Sequence, residues 1–483
     1  MGCTTILAGK NITYNGSTFI ARNEDSPAGQ YSPKKFIVVK PEDQPRHYKA
    51  VLSDLELDLP DDPMRYTAMP NAIDNDGAWA AAGVNEANVS MTATETLTSN
   101  DRVRAADPLL IKQGIGEEDM VVLVLPYIKS AREGVVRLGG LLEKYGTYEM
   151  NGIAFQDELE VWWLETIGGH HWIARRVPDN CYVCMPNQFG IDWFDLDDAY
   201  GEQAEFMCSK GLRDFIKKNH LDLSLDGEFN ARDAFGSHSD SDKIYNTPRS
   251  WFVQRFFNPY DVVWDGDDAD YRPDAMDLPW CVEPEKKLTV EDVKYVLSSH
   301  YQGTPYDPYG KCPDPSKKGS LRPIGVNRNN FLSLTEIRPG MPKDIQCVEW
   351  VALASNVFNA FVPFYTNVNS TPEYLSSTSG RVTSENFYWA NRIIGALADS
   401  QYSLCIVHIE RYQNAVQSKG RAIIQKYDET YRKARKKPDA VKHCEKANAE
   451  IAEMLKKETD SVLRKVLDTA SDKMKNAFSR SDG

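Results

Sequence analysis

Residues 3–25 read CTTILAGKNITYNGSTFIARNED, and this stretch decides the fold. Thr5-Ile6-Leu7 and Thr18-Phe19-Ile20-Ala21 are β-prone runs, while Gly9, Asn11 and Asn15-Gly16 between them are turn formers. The economical reading is an antiparallel hairpin. Its closure brings residues near 3 close to those near 22, although the pattern leaves the register unset.

Working outward, a third strand is expected at 36–39, then a surface excursion rich in Pro and acids over 41–63. A second hairpin is expected from 77–83 and 89–94, turning at 85–88. Val122, Leu125, Ile128, Val135, Leu138 and Leu142 recur at helical spacing and predict helix over 118–145. Further strands are predicted at 151–155, 160–166, 171–177 and 181–186. Strands thus come in runs broken by helical stretches, which predicts α+β with stacked antiparallel sheets, not a doubly wound parallel sheet. The tail differs in kind. Residues 421–478 contain no Gly and a single Pro, Pro438, and their apolar positions from Ile451 to Met474 keep a period near 3.6. One face of that helix must be covered, by the body or by another subunit.

Composition narrows the function classes. The chain has 483 residues, 41% of them hydrophobic and 26% charged, an ordinary globular balance. A net charge of −14 repels phosphate backbones, so no nucleic-acid partner is expected. Nine Cys at irregular spacing argue against a secreted disulfide framework. No apolar run reaches the ~18 residues that a membrane span needs, and the apolar stretch before Lys10 is too short for a secretory signal. Met-Gly-Cys suggests lipidation, but Ile6 stands where that motif has Ser or Thr. A cytoplasmic protein without membrane attachment is expected.

Several motifs point nowhere. Gly114-Ile115-Gly116-Glu117-Glu118-Asp119 begins like a dinucleotide fingerprint, but Asp119 replaces the final Gly and no strand leads in. The acidic run at 265–270 has Ala269 where a calcium ligand is due. Cys181 and Cys184 lie near His170-His171, yet a second ligand pair is absent, and strand residues three apart face opposite sides. No metal or other cofactor is expected.

The amino-terminal hairpin carries chemistry of its own. If Met1 and Gly2 are cleaved, Cys3 holds a thiol and a free α-amine on one residue. Such an amine has a pKa of ~7.7–8.0, suited to proton transfer near neutral pH. A cation such as Arg22 would lower a thiol pKa from its free value of ~8.5. Asp25 would orient the amine through a charge-assisted hydrogen bond. The same letters also fit a buried packing Cys beside two surface residues, and chemistry alone does not choose between these readings.

A resemblance adds to this reading. CTTILAGKN…GSTFIARNEDS, ATETLTSN, EKYGTYEMNGIAF, LETIGGHHWIARRVPD and SSHYQGTPYDPYG closely resemble the bacterial dipeptidase A family of cysteine peptidases, from Cys3 to about residue 410. Secernins, choloylglycine hydrolases and penicillin V acylases are more distant relatives. The resemblance implies an αββα sandwich, the N-terminal nucleophile hydrolase fold, with self-processing that exposes the Cys and metal-free hydrolysis of small amides. By motif, Cys3 matches the nucleophile, Arg22 and Asp25 the R-N-x-D pair, and Asn187 the amide of the oxyanion hole. Arg249 is a looser match to a second active-site Arg. Counting on from Gly83-Val84-Asn85-Glu86 places Glu95 at a pocket-lining position, where a carboxylate would bind a dipeptide's ammonium group. The implied organisation is a propeptide at 1–2, a catalytic domain over 3–400 and a helical extension over 401–483. The implied activity is that of a dipeptidase acting on small peptides, as a homo-oligomer. An acylase of the choloylglycine or penicillin V type, or an idle secernin-like adaptor, are the alternatives. His170 and His171 are expected to be structural or to line the pocket wall, with at most one of them facing the site.

Overall fold

The computed structural model describes residues 2–27, 29–73, 77–92 and 95–475, with only the backbone of Glu95. The first hairpin is present as β1 (Cys3–Ala8) and β2 (Thr18–Asp25). Its register sets Cys3 opposite Glu24, Thr4 opposite Asn23 and Thr5 opposite Arg22. Alternate residues share a face of a strand, so Cys3, Thr5 and Leu7 lie on one side with Ile20, Arg22 and Glu24. Ile6, Ala8, Phe19 and Ala21 take the other side.

Apart from two small two-stranded sheets, the remaining strands are β3 (Ala82–Val84), β4 (Ser90–Thr92), β5 (Glu95–Thr96), β6 (Asn151–Gln156), β7 (Val161–Ile167), β8 (His171–Arg176) and β9 (Tyr182–Met185). After them come β10 (Phe206–Cys208), β11 (Cys281–Val282), β12 (Asn329–Ile337), β13 (Cys347–Leu353) and β14 (Val362–Tyr365). One antiparallel sheet runs β11-β9-β1-β2-β12-β13-β14; a second runs β10-β8-β7-β6-β4-β3, with β5 also on β6. The hairpin sits near the middle of the first sheet, between β9 and β12, so both its edges are paired and its residues are buried.

Three apolar clusters account for the burial. Leu7, Ile20, Val183 and Met185 of the first sheet pack with Ala154, Val161, Trp163, Ile167 and Ile173 of the second. Ile6, Phe19, Leu334 and Trp350 on the opposite side of the first sheet meet helical residues Trp251, Val293, Ile394, Ile409 and Ile451. Phe155, Trp162 and Leu164 of the second sheet meet Val121, Val135 and Leu138. The architecture is α+β, built on antiparallel sheets and helices.

Three expectations need correction. The stretch over 41–63 is not only a surface excursion: His47–Lys49 pairs with Glu56–Asp58 as a small antiparallel sheet, and Ala50, Leu55, Leu57 and Leu59 are buried in the cluster of the second sheet. The helix predicted over 118–145 is two helices, α1 (Glu117–Val124) and α2 (Ala131–Tyr145). Pro126, which lacks the N–H a helix interior needs, lies in the short 3-10 turn between them, and the Ser130 hydroxyl caps α2 by accepting from Glu133 N at 3.1 Å. The strand expected over 77–83 shrinks to β3, because Trp79 and Ala81 adopt φ of +43° and +62°, incompatible with extended backbone. The partner expected over 89–94 is described only as β4; Ala93 and Thr94 lie outside the described residues.

The tail forms α6 (Tyr402–Lys433) and α7 (Ala440–Asp472), after α3 (Thr247–Phe257), α4 (Val290–Leu297) and α5 (Phe387–Asp399). Pro438 falls in the link between α6 and α7. Their apolar faces join the cluster on the first sheet, and the Asn448 amide exchanges two hydrogen bonds of 2.9 Å with the main chain of Tyr365 in β14. The body of the same chain therefore covers this face. Among the described residues no helix is long and apolar enough to cross a membrane.

Candidate active site

The hairpin register creates the central contact. Arg22 is diagonal to Cys3 on the same face, and its Nη2 donates to Cys3 Sγ at 3.0 Å. Both side chains are completely buried. A buried guanidinium needs anions, and Arg22 Nη2 also donates to Glu117 Oε1 at 2.7 Å, with Glu24 Oε2 at 3.9 Å. Glu24 is shared with Lys34 at 2.8 Å. The thiol thus faces the cationic end of a buried charge network, the setting that favours a thiolate.

With Gly2 in place the Cys3 nitrogen is a peptide N–H, standing where an α-ammonium would stand if Gly2 were lost. It donates to Asn187 Oδ1 at 3.2 Å. Asn187 lies just beyond β9, the neighbour of β1, so strand pairing brings it alongside Cys3. The same Oδ1 accepts from Arg249 Nη2 at 2.8 Å, and two donors on the oxygen turn the amide's Nδ2 the other way.

Arg249, in the first turn of α3, is wholly buried and has all five N–H groups on protein acceptors. Nε donates to Tyr245 O at 2.9 Å, Nη1 to Thr4 Oγ1 at 2.9 Å and to the Cys3 carbonyl, and Nη2 to Asn187 and to Asn246 Oδ1 at 2.6 Å. It ties the main chain of the thiol residue to the amide beside it.

Asp25 lies on the opposite face of β2 from Arg22. Its carboxylate accepts from Arg322 Nη2 and Asn329 Nδ2, and its main-chain N–H donates to Gly2 O at 2.9 Å. Cys3, Arg22, Asp25, Asn187 and Arg249 are therefore brought together. Glu95 lies on β5, which pairs with β6 at Gly152 and packs near β1; its side chain lies outside the described residues.

The two histidines lie elsewhere. His170 is held by Asp107, with Nδ1 and Oδ1 3.0 Å apart, and His171 by Ser209 Oγ at 2.8 Å, its ring 4.3 Å from that of Phe215. Cys184 packs in the helix-side cluster with Ile6 and Trp251, and Cys181 stands at the start of β9 beside Cys281.

Residues the sequence did not single out complete the surroundings. Glu117 bonds Arg22, and its N–H donates to Glu149 Oε1 at 2.8 Å. Burial, then the charge of Glu117, push the Glu149 carboxyl up to about 7. Arg322, Arg328, Tyr245, Asn246 and Asn329 supply the other walls.

A buried thiol bonded to a guanidinium and framed by an amide has the make-up of a candidate nucleophile site. Comparison with known families agrees. The profile of peptidase family C69 matches residues 2–415. The chain is 52% identical over its full length to a probable dipeptidase A of Streptococcus pyogenes serotype M3 (strain SSI-1), all of which is covered. It is likewise 52% identical to a dipeptidase of Bifidobacterium longum (strain NCC 2705), with both chains fully covered. Dipeptidase A of Lactobacillus helveticus is 45% identical over 83% of this chain and 82% of its own. The chain belongs to peptidase family C69, and it is a peptidase.

Proposed function

We propose that this peptidase is a cysteine dipeptidase of the N-terminal nucleophile type. The reading rests on one observation: Cys3 Sγ lies 3.0 Å from Arg22 while the nitrogen of the same residue is anchored on Asn187. Nucleophile and base then belong to one residue, each held by a different neighbour. Relatives named dipeptidase at 52% identity support the substrate class.

In the mature chain, beginning at Cys3, the α-amine takes the thiol proton as Sγ attacks the substrate carbonyl. Asn187 Nδ2 and a main-chain N–H stabilise the oxyanion; one such donor is typically worth about 3 kcal/mol of barrier. The C–N bond then breaks, the α-ammonium passes its proton to the leaving amine, and a thioester remains. Water, deprotonated by the same amine, releases the first residue as a carboxylic acid and restores the thiol. Glu95 anchors the substrate's ammonium group, and Arg249 holds Asn187 and Cys3 in place. The αββα layering of the N-terminal nucleophile hydrolases is part of the same reading. Its support is the sheet-to-sheet cluster flanked by two helix-to-sheet clusters. We divide the chain into a propeptide at 1–2, a catalytic body over 3–400 and a helical extension over 401–483.

Side-by-side hydrolysis of dipeptides, conjugated bile salts and penicillin V tests the function. Dipeptide turnover that exceeds the other amides by orders of magnitude is expected. Preference for a bile salt or penicillin V would make it an acylase, and no turnover of anything by protein with a free Cys3 amine would make it an adaptor.

A further inference from the structure

The leaving amine must come within hydrogen-bond reach of the Cys3 α-nitrogen, which hands it a proton. Gly2 is bonded to that same nitrogen in the unprocessed chain. The second residue of a dipeptide therefore falls in the space Gly2 holds, and the walls of that space select the group on the far side of the scissile bond.

Those walls are basic. A side chain built on Gly2 would meet Tyr245 Oη at 2.4 Å, Arg322 Nη2 at 3.2 Å and Asp25 Oδ2 at 3.2 Å. Arg328 Nη2 donates to that Tyr245 hydroxyl at 2.8 Å, and the guanidinium carbons of Arg322 and Arg328 stand 5.1 and 5.9 Å from the tyrosine ring. Arg322 is paired with Asp25, whereas Arg328 donates through Nη1 to Ser26 O at 3.3 Å and forms no ion pair with a carboxylate among the described residues. Arg322 has Nη1 on Pro323 O at 2.9 Å and Nη2 on Asp25, but its buried Nε has no hydrogen-bond partner among the described residues, and its side chain is only 8% exposed. A buried donor left unmet is costly, and a ligand oxygen would satisfy it. Burial and the neighbouring charge of Arg328 both push the Arg322 pKa down, a strain that an added anion relieves. Arg249, the third guanidinium around this ring, has no N–H to offer.

We propose that Arg322 and Arg328, joined through Tyr245, bind the terminal carboxylate of the dipeptide. This rests on the dipeptidase reading and gives it a physical basis for length. Guanidinium–carboxylate pairs are strong and directional. A third residue would replace the charged carboxylate by an amide and would have to run its chain between two guanidiniums and a tyrosine.

The test compares a dipeptide with its C-terminal amide on the wild type, Arg328→Leu and Arg328→Lys. The wild type should prefer the free acid by a hundredfold or more in kcat/KM. Arg328→Leu should lose at least tenfold on the acid, mostly through KM, leave the amide nearly unchanged, and keep the wild-type rate of Cys3 alkylation. Arg328→Lys should recover part of the loss. If Arg328→Leu does not fold, Arg328→Gln takes its place. An acid-to-amide ratio unchanged by the substitution overturns the assignment while leaving the dipeptidase reading intact. A wild type that cleaves neither compound brings down both.

Discussion

Arg22 Nη2 bonds at once to Cys3 Sγ at 3.0 Å and to Glu117 Oε1 at 2.7 Å, so one guanidinium joins the thiol to a buried carboxylate. Favouring the thiolate depends on that cation staying put, and Glu117 is what holds it. Replacing Arg22 by Lys should keep a charge near Glu117 but lose the planar fork, whose Nη1 is fixed on Ala81 O at 3.2 Å while Nη2 meets the thiol. Arg22→Leu should leave Glu117 buried without its cation, while Glu24 keeps Lys34, a change worth about 3–5 kcal/mol of stability. In either variant the thiol's pKa rises, and the pH profile of Cys3 alkylation moves to higher pH. An unmoved profile would contradict the role given to Arg22.

Cys3→Ala should abolish turnover while leaving the fold intact, as read by circular dichroism and thermal melting. The side chain lies at the start of a strand paired on both edges, and losing one sulfur there removes no backbone bond. Residual activity above the background hydrolysis rate would move the nucleophile elsewhere.

Asn187→Ala removes the proposed oxyanion donor and also the acceptor for the Cys3 nitrogen. A fall in kcat of about 10²–10³ is expected, with KM changing much less. A variant with unaltered kcat and raised KM would make Asn187 a binding residue instead.

Gly2→Val should slow maturation. The new Cβ would meet Tyr245 Oη at 2.4 Å and so push the main chain away from the Asp25 N–H that bonds the Gly2 carbonyl at 2.9 Å. Intact mass of freshly made protein should show chains that retain residue 2. Processing as complete as in the wild type would show that this cradle does not matter.

Glu349 gives a pH-dependence unconnected with the site. Burial in the first sheet pushes its carboxyl from 4.5 up to about 7. The folded protein then holds a proton that the unfolded chain releases, and stability falls as pH rises from about 4.5 through 7. Glu349→Gln should flatten that slope and be more stable at pH 8 by about 3 kcal/mol, the free energy of such a shift. The amide also keeps a polar partner for Thr67 Oγ1, which donates to Glu349 Oε2 at 2.8 Å. Chemical denaturation at pH 5 and pH 8 measures it; parallel losses in both proteins would contradict it.

The amino-terminal hairpin is legible in the sequence because its information is local. β-Branched runs separated by Asn15-Gly16 leave few alternatives, and closing the turn brings positions 3 and 22 together. Its register is not legible, since both faces of β1 and β2 are buried and hydrophobic alternation cannot choose between them. The strands from β6 to β9 fall within a residue or two of their expected bounds for the same local reason. Pro126 marks the break between α1 and α2, and a strict reading of its missing N–H divides the predicted helix. Asn187 and Arg249 come only through resemblance, since nothing in their surroundings marks them. Glu117 is hidden inside a failed nucleotide motif. A signal does exist: three carboxylates stand between Ile115 and the apolar run Met120 to Val124, where burial makes a partner necessary. Arg322 and Arg328 carry no such mark. Their meeting with Asp25 and Tyr245 joins residues about three hundred positions apart, and only the completed first sheet brings them there.

The central claim is that the working base is the α-nitrogen of Cys3, and intact-mass measurement of active enzyme tests it most directly. The mass should correspond to residues 3–483, with activity rising in step with that species. Full activity in protein that still carries Gly2, whose Cys3 nitrogen is an amide unable to accept a proton, would contradict it.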